Sequence, residues 1–202
     1  MSTYEPGSTM KPAIAAAGLE EGVITETSKF YCSHIYRQFT DTTFKCLGSH
    51  GWIDVKNALN QSCNIYFYET GRLLGINRMN DYCTRFGLGQ KTGVEINESS
   101  GVLAGIAYRE AHGGTWYPGD TVQAAIGQSD NLFTPIQLCS YVSTIANGGT
   151  RYRAHFVKSV KTSDYSETLL SNDGVVLNET GVSQNSIRIV KEGMEMLGAR
   201  LP

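Results

Sequence analysis

Tyr4-Glu5-Pro6-Gly7-Ser8-Thr9-Met10-Lys11-Pro12 opens the chain, and the reading of this stretch decides the rest. Glu5-Pro6-Gly7 is turn chemistry, and it feeds an alanine-rich segment from Met10 to Leu19 that stops near Gly22. The pattern predicts a buried helix, with Pro12 tolerated because it sits in the first turn. Residues three apart share a helix face, so the Lys11 amine reaches back to the Ser8 hydroxyl, and the N-terminal end of a helix favours negative charge developing there. A serine and a lysine so placed suit a nucleophile and its base. A capping serine beside a solvated lysine has the same spacing, so the pair needs support from elsewhere in the chain.

That support comes from Ser62-Cys63-Asn64. From Asp54 to Leu74 the apolar residues Val55, Ala58, Leu59, Ile65, Tyr66, Tyr68, Leu73 and Leu74 recur at helical intervals, interrupted around Gln61 to Asn64. Two helices meeting at a break are expected there. A hydroxyl and a carboxamide at such a break can both turn into a cleft, where Ser62 would relay a proton and Asn64 would hydrogen-bond an amide. The same residues also cap helices, the blander reading.

Further along, Asn77 to Phe86 reads as a helix capped by Gly87, and Gly87 to Gly119 as loop with brief strands. Pro135 to Ala146 reads as a helix with Thr134 as its N-cap and Asn147-Gly148-Gly149 as its stop. Phe156 to Thr162 suits a strand and Gln184 to Leu197 a closing helix, while Gly22 to Gly51 reads as an irregular excursion with short strands. The fold class expected is mixed α/β (α+β), dominated by helices, without internal repeats or a linker.

Composition narrows the function classes. The 202 residues carry a formal net charge of -2, so there is no basic field to hold nucleic-acid phosphates or an anionic membrane surface. No apolar run approaches the roughly 20 residues that span a bilayer, and the first residues lack signal-peptide character. Any anchor or export signal is expected outside this sequence.

Taken together, the Ser8 stretch, Ala58-Leu59-Asn60-Gln61-Ser62-Cys63-Asn64, Gly127-Gln128-Ser129, Thr134-Pro135-Ile136-Gln137-Leu138 and Ile145-Ala146-Asn147-Gly148-Gly149 strongly resemble a class B penicillin-binding protein in residues, order and spacing. The resemblance covers nearly the whole chain and points to the elongation-type members. It implies a penicillin-binding, serine β-lactamase-like transpeptidase fold, truncated, of which residues 1–202 are a partial domain holding mainly the helical part with few strands. It implies acyl transfer from D-Ala-D-Ala stem peptides through Ser8, Lys11, Ser62 and Asn64, inhibition by β-lactams, and no cofactor required for the chemistry. It also implies the cell-wall elongation machinery as partner, and an extracytoplasmic location at the cell membrane through an N-terminal anchor absent from this chain. A β-lactam sensor or an inert scaffold shares the first two motifs and is the rival.

The family's third motif is K-[ST]-G. Lys91-Thr92-Gly93 has those letters but precedes Gly127-Gln128-Ser129, whereas the family's catalytic copy follows it, so it is rejected. The chain ends at Pro202 before a later copy, and the 202 residues alone are therefore expected to acylate poorly, since a lost oxyanion donor costs about a hundredfold to a thousandfold.

Five cysteines form an odd set. Cys32, Cys46, His50 and Cys63 make a plausible closed zinc site, with Cys46 and His50 as a short chelating pair and Cys63 inside the second motif. Zinc held in this region by relatives of the elongation type adds to that reading; a Cys32 to Cys46 disulfide is the alternative. Cys83 and Cys139 fall on apolar helix faces and are expected to be inert core residues.

Overall fold

Between Pro12 and Leu19 the chain carries no charge, so once helical this segment has no face that prefers water. It lies accordingly at the centre of the molecule. In the computed structural model, which describes residues 1–199, a 3-10 turn over Gly7–Met10 runs directly into helix α1 (Lys11–Glu20). Every residue from Lys11 to Gly18 is buried.

The aromatic excursion that follows folds into β1 (Phe30–Cys32), β2 (Ile35–Tyr36), β3 (Phe44–Lys45) and β4 (Gly51–Ile53). They form two antiparallel ribbons, β1 with β4 and β2 with β3. Helix α2 (Val55–Asn60) starts where the Asp54 carboxylate accepts from the Asn57 amide, and α3 (Asn64–Leu74) begins after the expected break. Helix α3 lies against α1 and against α6, described next, so closely that a Cβ on Gly71 would overlap that of Ala125.

Four more helices complete the outer shell before the ribbons of the second half: α4 (Ile76–Arg85), α5 (Ile106–Ala111), α6 (Pro118–Ala125) and α7 (Pro135–Ala146). Helix α7 has a reciprocal capping box, in which Thr134 Oγ1 accepts from the Gln137 amide and Gln137 Oε1 accepts from the Thr134 amide. Its buried Tyr141 hydroxyl accepts from Ala13 N at 3.0 Å, satisfying a first-turn donor of α1 that no helical carbonyl can reach. Strands β5 (Thr150–Tyr152), β6 (Ser159–Lys161), β7 (Thr168–Ser171) and β8 (Val176–Glu179) pair as β5 with β8 and β6 with β7. Helix α8 (Gln184–Gly198) is capped by Ser183 and lays Ile187, Ile189, Val190 and Gly193 over α2 and α1.

The mixed α/β class, mainly helical with few strands, is what the sequence leads one to expect, and three local expectations need correction. The Gly-rich stretch 87–119 is not all loop, because Ile106–Ala111 is helical and α6 opens at Pro118. The strand expected at Phe156 to Thr162 shrinks to Ser159–Lys161, since its partner β7 is a local hairpin arm that matches only three of its residues. Cys83 is buried as expected but Cys139 is exposed: α7 turns Gln137, Tyr141, Thr144 and Ile145 inward, and Cys139 faces out with Ser140 and Ser143.

Candidate active site and thiol cluster

The nucleophile candidate is held from both sides. Gly7 takes a left-handed φ of +53° and donates its N–H to the Gly127 carbonyl at 2.9 Å. A Cβ on Gly127 would overlap the Gly7 backbone, so the Gly127-Gln128-Ser129 run begins with the one residue that permits this approach. Three residues before Gly7 and six after Gly127, Tyr4 and Phe133 exchange backbone hydrogen bonds, each of 2.9 Å. Ser8 follows at the surface while Lys11, one turn on, is buried.

Lys11 is the hub. Its Nζ donates to Ser8 Oγ at 3.1 Å, Ser62 Oγ at 2.9 Å, Asn64 Oδ1 at 2.7 Å and the Ser62 carbonyl at 2.8 Å. An ammonium has three protons for these four acceptors. Burial pulls the Lys11 pKa down from 10.5 to about 8, against an opposing pull from the nearby Cys46 and Cys63 sulfurs. Ser62 Oγ donates to Ser8 Oγ at 2.8 Å, so hydroxyl, hydroxyl and amine form a closed triangle.

Backbone strain aims Ser62. It ends α2 with φ +51°, rare for a residue other than glycine, while Ser62 N donates to Leu59 O and Cys63 N to Ala58 O. Asn64, the first residue of α3, is steadied by β3. Its Nδ2 donates to the Lys45 carbonyl at 3.2 Å, and the Tyr68 hydroxyl donates to the same oxygen at 3.3 Å. Sequence reasoning did not single out Lys45 or Tyr68. A backbone carbonyl leaves no letter, and the only available clue to Tyr68 is its place one helical turn after Asn64. Beside the triangle opens a cavity of about 330 Å3 walled by Pro12, Leu59, Val142, Met194 and Leu197.

The rejected Lys91-Thr92-Gly93 is engaged elsewhere. The Thr92 amide and hydroxyl donate to one Glu98 oxygen at 2.8 and 2.6 Å, the Gly93 amide to the other at 2.9 Å, and Arg151 donates to the Lys91 carbonyl.

Cys32 from β1, Cys46 after β3, His50 before β4 and Cys63 at the N-cap of α3 converge beneath Asn64. Their ligand atoms all lie within 4.8 Å of one another. His50 Nδ1 is 3.3 Å from Cys32 Sγ and 3.6 Å from Cys46 Sγ, and the Cys46 and Cys63 sulfurs are 4.0 Å apart. The corners of a tetrahedron with ligand bonds of about 2.0–2.3 Å are about 3.3–3.8 Å apart; the two His50 separations fall in that range and the Cys46–Cys63 pair lies just outside it, so small side-chain shifts bring this set to a tetrahedral thiolate and imidazole site. All five thiols are free. The Cys63 thiol donating to Cys46, together with backbone amides, holds Cys46 down to about 4, while that donation and burial push Cys63 up. The Cys46 sulfur also accepts from the Asn64 amide at 3.3 Å, which joins the cluster to the second motif.

A surface serine, a buried lysine and a Ser-x-Asn turn meet in one groove of a mixed α/β fold, an arrangement that supplies the nucleophile, base and proton relay acyl transfer needs. The family model of the penicillin binding protein transpeptidase domain matches residues 1–198, and the chain belongs to that family. It is 33% identical over 162 residues to the peptidoglycan D,D-transpeptidase MrdA of Salmonella typhimurium, a match covering 76% of this chain and 26% of the relative. It is 34% identical over 160 residues to the stage V sporulation protein D of Bacillus subtilis, covering 78% and 24%. Penicillin-binding protein PBP2 of Helicobacter pylori, solved in complex with MreC, superposes with a TM-score of 0.80 at 26% identity, covering 96% of this chain and 35% of that one. The chain thus spans about a quarter of the length of the curated relatives it matches.

Proposed function

We propose that the chain is the part of a peptidoglycan D,D-transpeptidase that carries the acyl-accepting serine. The observation that carries this reading is the Lys11 amine, buried and within 3.1 Å of the Ser8, Ser62 and Asn64 side chains. Ser8 Oγ attacks the penultimate D-alanine carbonyl of a D-Ala-D-Ala stem as its proton passes to Lys11. The Ser8–acyl bond forms, the peptide bond breaks, and D-alanine departs with the proton returned through Ser62 Oγ. The amine of a second stem then attacks the acyl-enzyme and frees Ser8. The Ser8 amide is one oxyanion donor. Asn64 holds Lys11 through Oδ1, and its Nδ2, now on the exposed Lys45 carbonyl, is the group that turns to a substrate amide. A β-lactam presents the same carbonyl and stops at the acyl stage.

Zn2+ is the proposed occupant of the Cys32, Cys46, His50 and Cys63 set. When bound it supplies a closed structural crosslink, tying both ribbons to the start of α3. The extracytoplasmic face of the cell membrane, where stem peptides are cross-linked, is the proposed site of action; among the described residues no helix is long and apolar enough to cross a membrane. The complex of the H. pylori relative with MreC supports an elongation partner of that type.

The test is covalent labelling by a fluorescent penicillin with the modified residue located by mass spectrometry. In the full-length gene product the label should sit on Ser8 and vanish in Ser8→Ala. Label on another residue, or none in the full-length protein, would overturn the reading. The 202 residues alone should label more slowly by about a hundredfold or more, for want of the second oxyanion donor.

A further inference from the structure

Nothing in the reaction as written uses Arg109, yet the loop that grips Gly7 is fastened to it. The Gly127–Phe133 segment meets the nucleophile's approach at both ends, through Gly127 on Gly7 and Phe133 on Tyr4. Between those ends it contains Ser129, left-handed at φ +66°, a conformation that needs outside support. The Arg109 guanidinium supplies that support from α5. Its Nε donates to Asp130 Oδ2 at 2.6 Å, and its Nη2 donates to Ser129 Oγ at 3.1 Å and to Asp120 Oδ1 at 3.4 Å. Its central carbon lies 5.5 Å from the Trp116 ring centroid, so the ion rests over an aromatic ring as well as being hydrogen-bonded. Asp120 is itself fixed, accepting from the Tyr117 amide at 2.8 Å at the start of α6. The three charged side chains are about three-quarters buried, at 24%, 21% and 25% exposure, so the fork is partly shielded from solvent.

On the far side of the loop, Asn131 is fully buried, donating to Ala124 and Gln128 carbonyls and accepting from the Ala104 amide. Arg109 and Asn131 together leave the loop one position in which to stand. Because Gly127 and Gly7 are in backbone contact, that position is transmitted to Ser8 without an intervening side chain.

We infer that Arg109 is a positioning residue for the acylation step, acting through Ser129, Asp130 and Gly127 on the Gly7–Ser8 backbone and so on the distance from Ser8 Oγ to Lys11 and Ser62. The inference rests on the transpeptidase reading for its kinetic consequence, and on geometry alone for its mechanical one. A bidentate fork is required: a lysine in its place keeps the charge and one bond to Asp130 but cannot also hold Ser129 and Asp120.

Two measurements decide it. In the full-length protein, Arg109→Gln should lower the first-order acylation constant by a penicillin about 10- to 100-fold while the preceding non-covalent affinity changes less than about twofold, since a displacement near 1 Å at a reacting atom has that effect. Arg109→Lys should recover part of the loss. Asp130→Asn should add little to Arg109→Gln, as expected when both act through one contact. In the same variants, hydrogen exchange at the Gly7 and Tyr4 amides should quicken by about tenfold or more with α8 unchanged. A loss of acylation matched by weaker affinity, or exchange rising equally throughout the chain, would reduce Arg109 to general stability and overturn the inference. Unchanged exchange at Gly7 would overturn it too. If the wild-type protein takes no label, the transpeptidase reading falls and with it the kinetic claim, while exchange at Gly7 still decides the mechanical one.

Discussion

A lysine enclosed by oxygen acceptors and apolar walls has to trade charge against burial, and at Lys11 the result is a pKa of about 8. Its folded value lies below the unfolded 10.5, so as pH rises from about 8 toward 10.5 the folded chain sheds this proton first and gains stability. Below that window the buried ammonium costs roughly 3 kcal/mol. Melting temperature should therefore climb between pH 8 and 10 in the wild type, with that contribution missing in Lys11→Met. Acylation should rise through pH about 8 as neutral Lys11 accumulates, and fall about a hundredfold to ten-thousandfold in Lys11→Met. A flat profile from pH 7 to 9 would remove Lys11 as the base. The opposing pull comes from the sulfurs of Cys46 and Cys63, two of the proposed zinc ligands, so the metal needs a test of its own. Thiol counting gives an independent check: the zinc-loaded native chain should expose one fast thiol, Cys139, and the chelated, denatured chain all five.

Helices set the groove through close approaches that leave little freedom. Gly71 has no space for a Cβ against Ala125, so Gly71→Ala should push α3 off α6 and cost about 1–3 kcal/mol in urea unfolding. Gly198→Ala, with nothing within 4 Å among the described residues, should be neutral or slightly stabilising; equal effects would show that the α3–α6 contact yields freely. The elements legible in the sequence were those with local punctuation. Thr134, Pro135 and Gln137 write the start of α7 and Asn147-Gly148 its end, and the interruption at Gln61–Asn64 marks the strained Ser62 between α2 and α3. Helix α5 left no comparable trace, being one short turn-rich segment between glycines with no buried residue. Cys139 misled because the apolar letters Ile136, Leu138 and Val142 surround it, and only Ser140 and Ser143 tell which side faces water. The pairing of β5 with β8 depends on a partner more than twenty residues away, which no window around Thr150 contains.

At the scale of the molecule the chain divides into a helical body built on α1 and a ribbon that adds almost nothing to it. The site was readable in advance because its side chains sit in motifs whose order implies convergence. Arg109 was not, because its partners, Asp120 in the first turn of α6 and Ser129 and Asp130 in the loop after it, come together only in the fold. The β6–β7 ribbon is the opposite case, local in sequence and peripheral in space. All seven of its strand residues are exposed, Leu169 at 64% and Leu170 at 46%, and its ties to the body are few polar contacts, among them Arg153 to Asn172 at 2.8 Å and the Phe156 amide to Glu95 at 2.9 Å. Segments with so little buried surface open at low free energy, whereas cutting α1 or α3 requires undoing the core. Thermolysin, which cleaves before apolar residues, should therefore nick first between 156 and 171, and the nicked chain should keep its cooperative melting transition within a few degrees. Replacing 159–171 by a two-residue turn should likewise cost less than about 1 kcal/mol and leave the Ser8 labelling rate unchanged. First cuts inside α1 to α4, or a nicked chain without a transition, would mean that the ribbon helps to hold the body together.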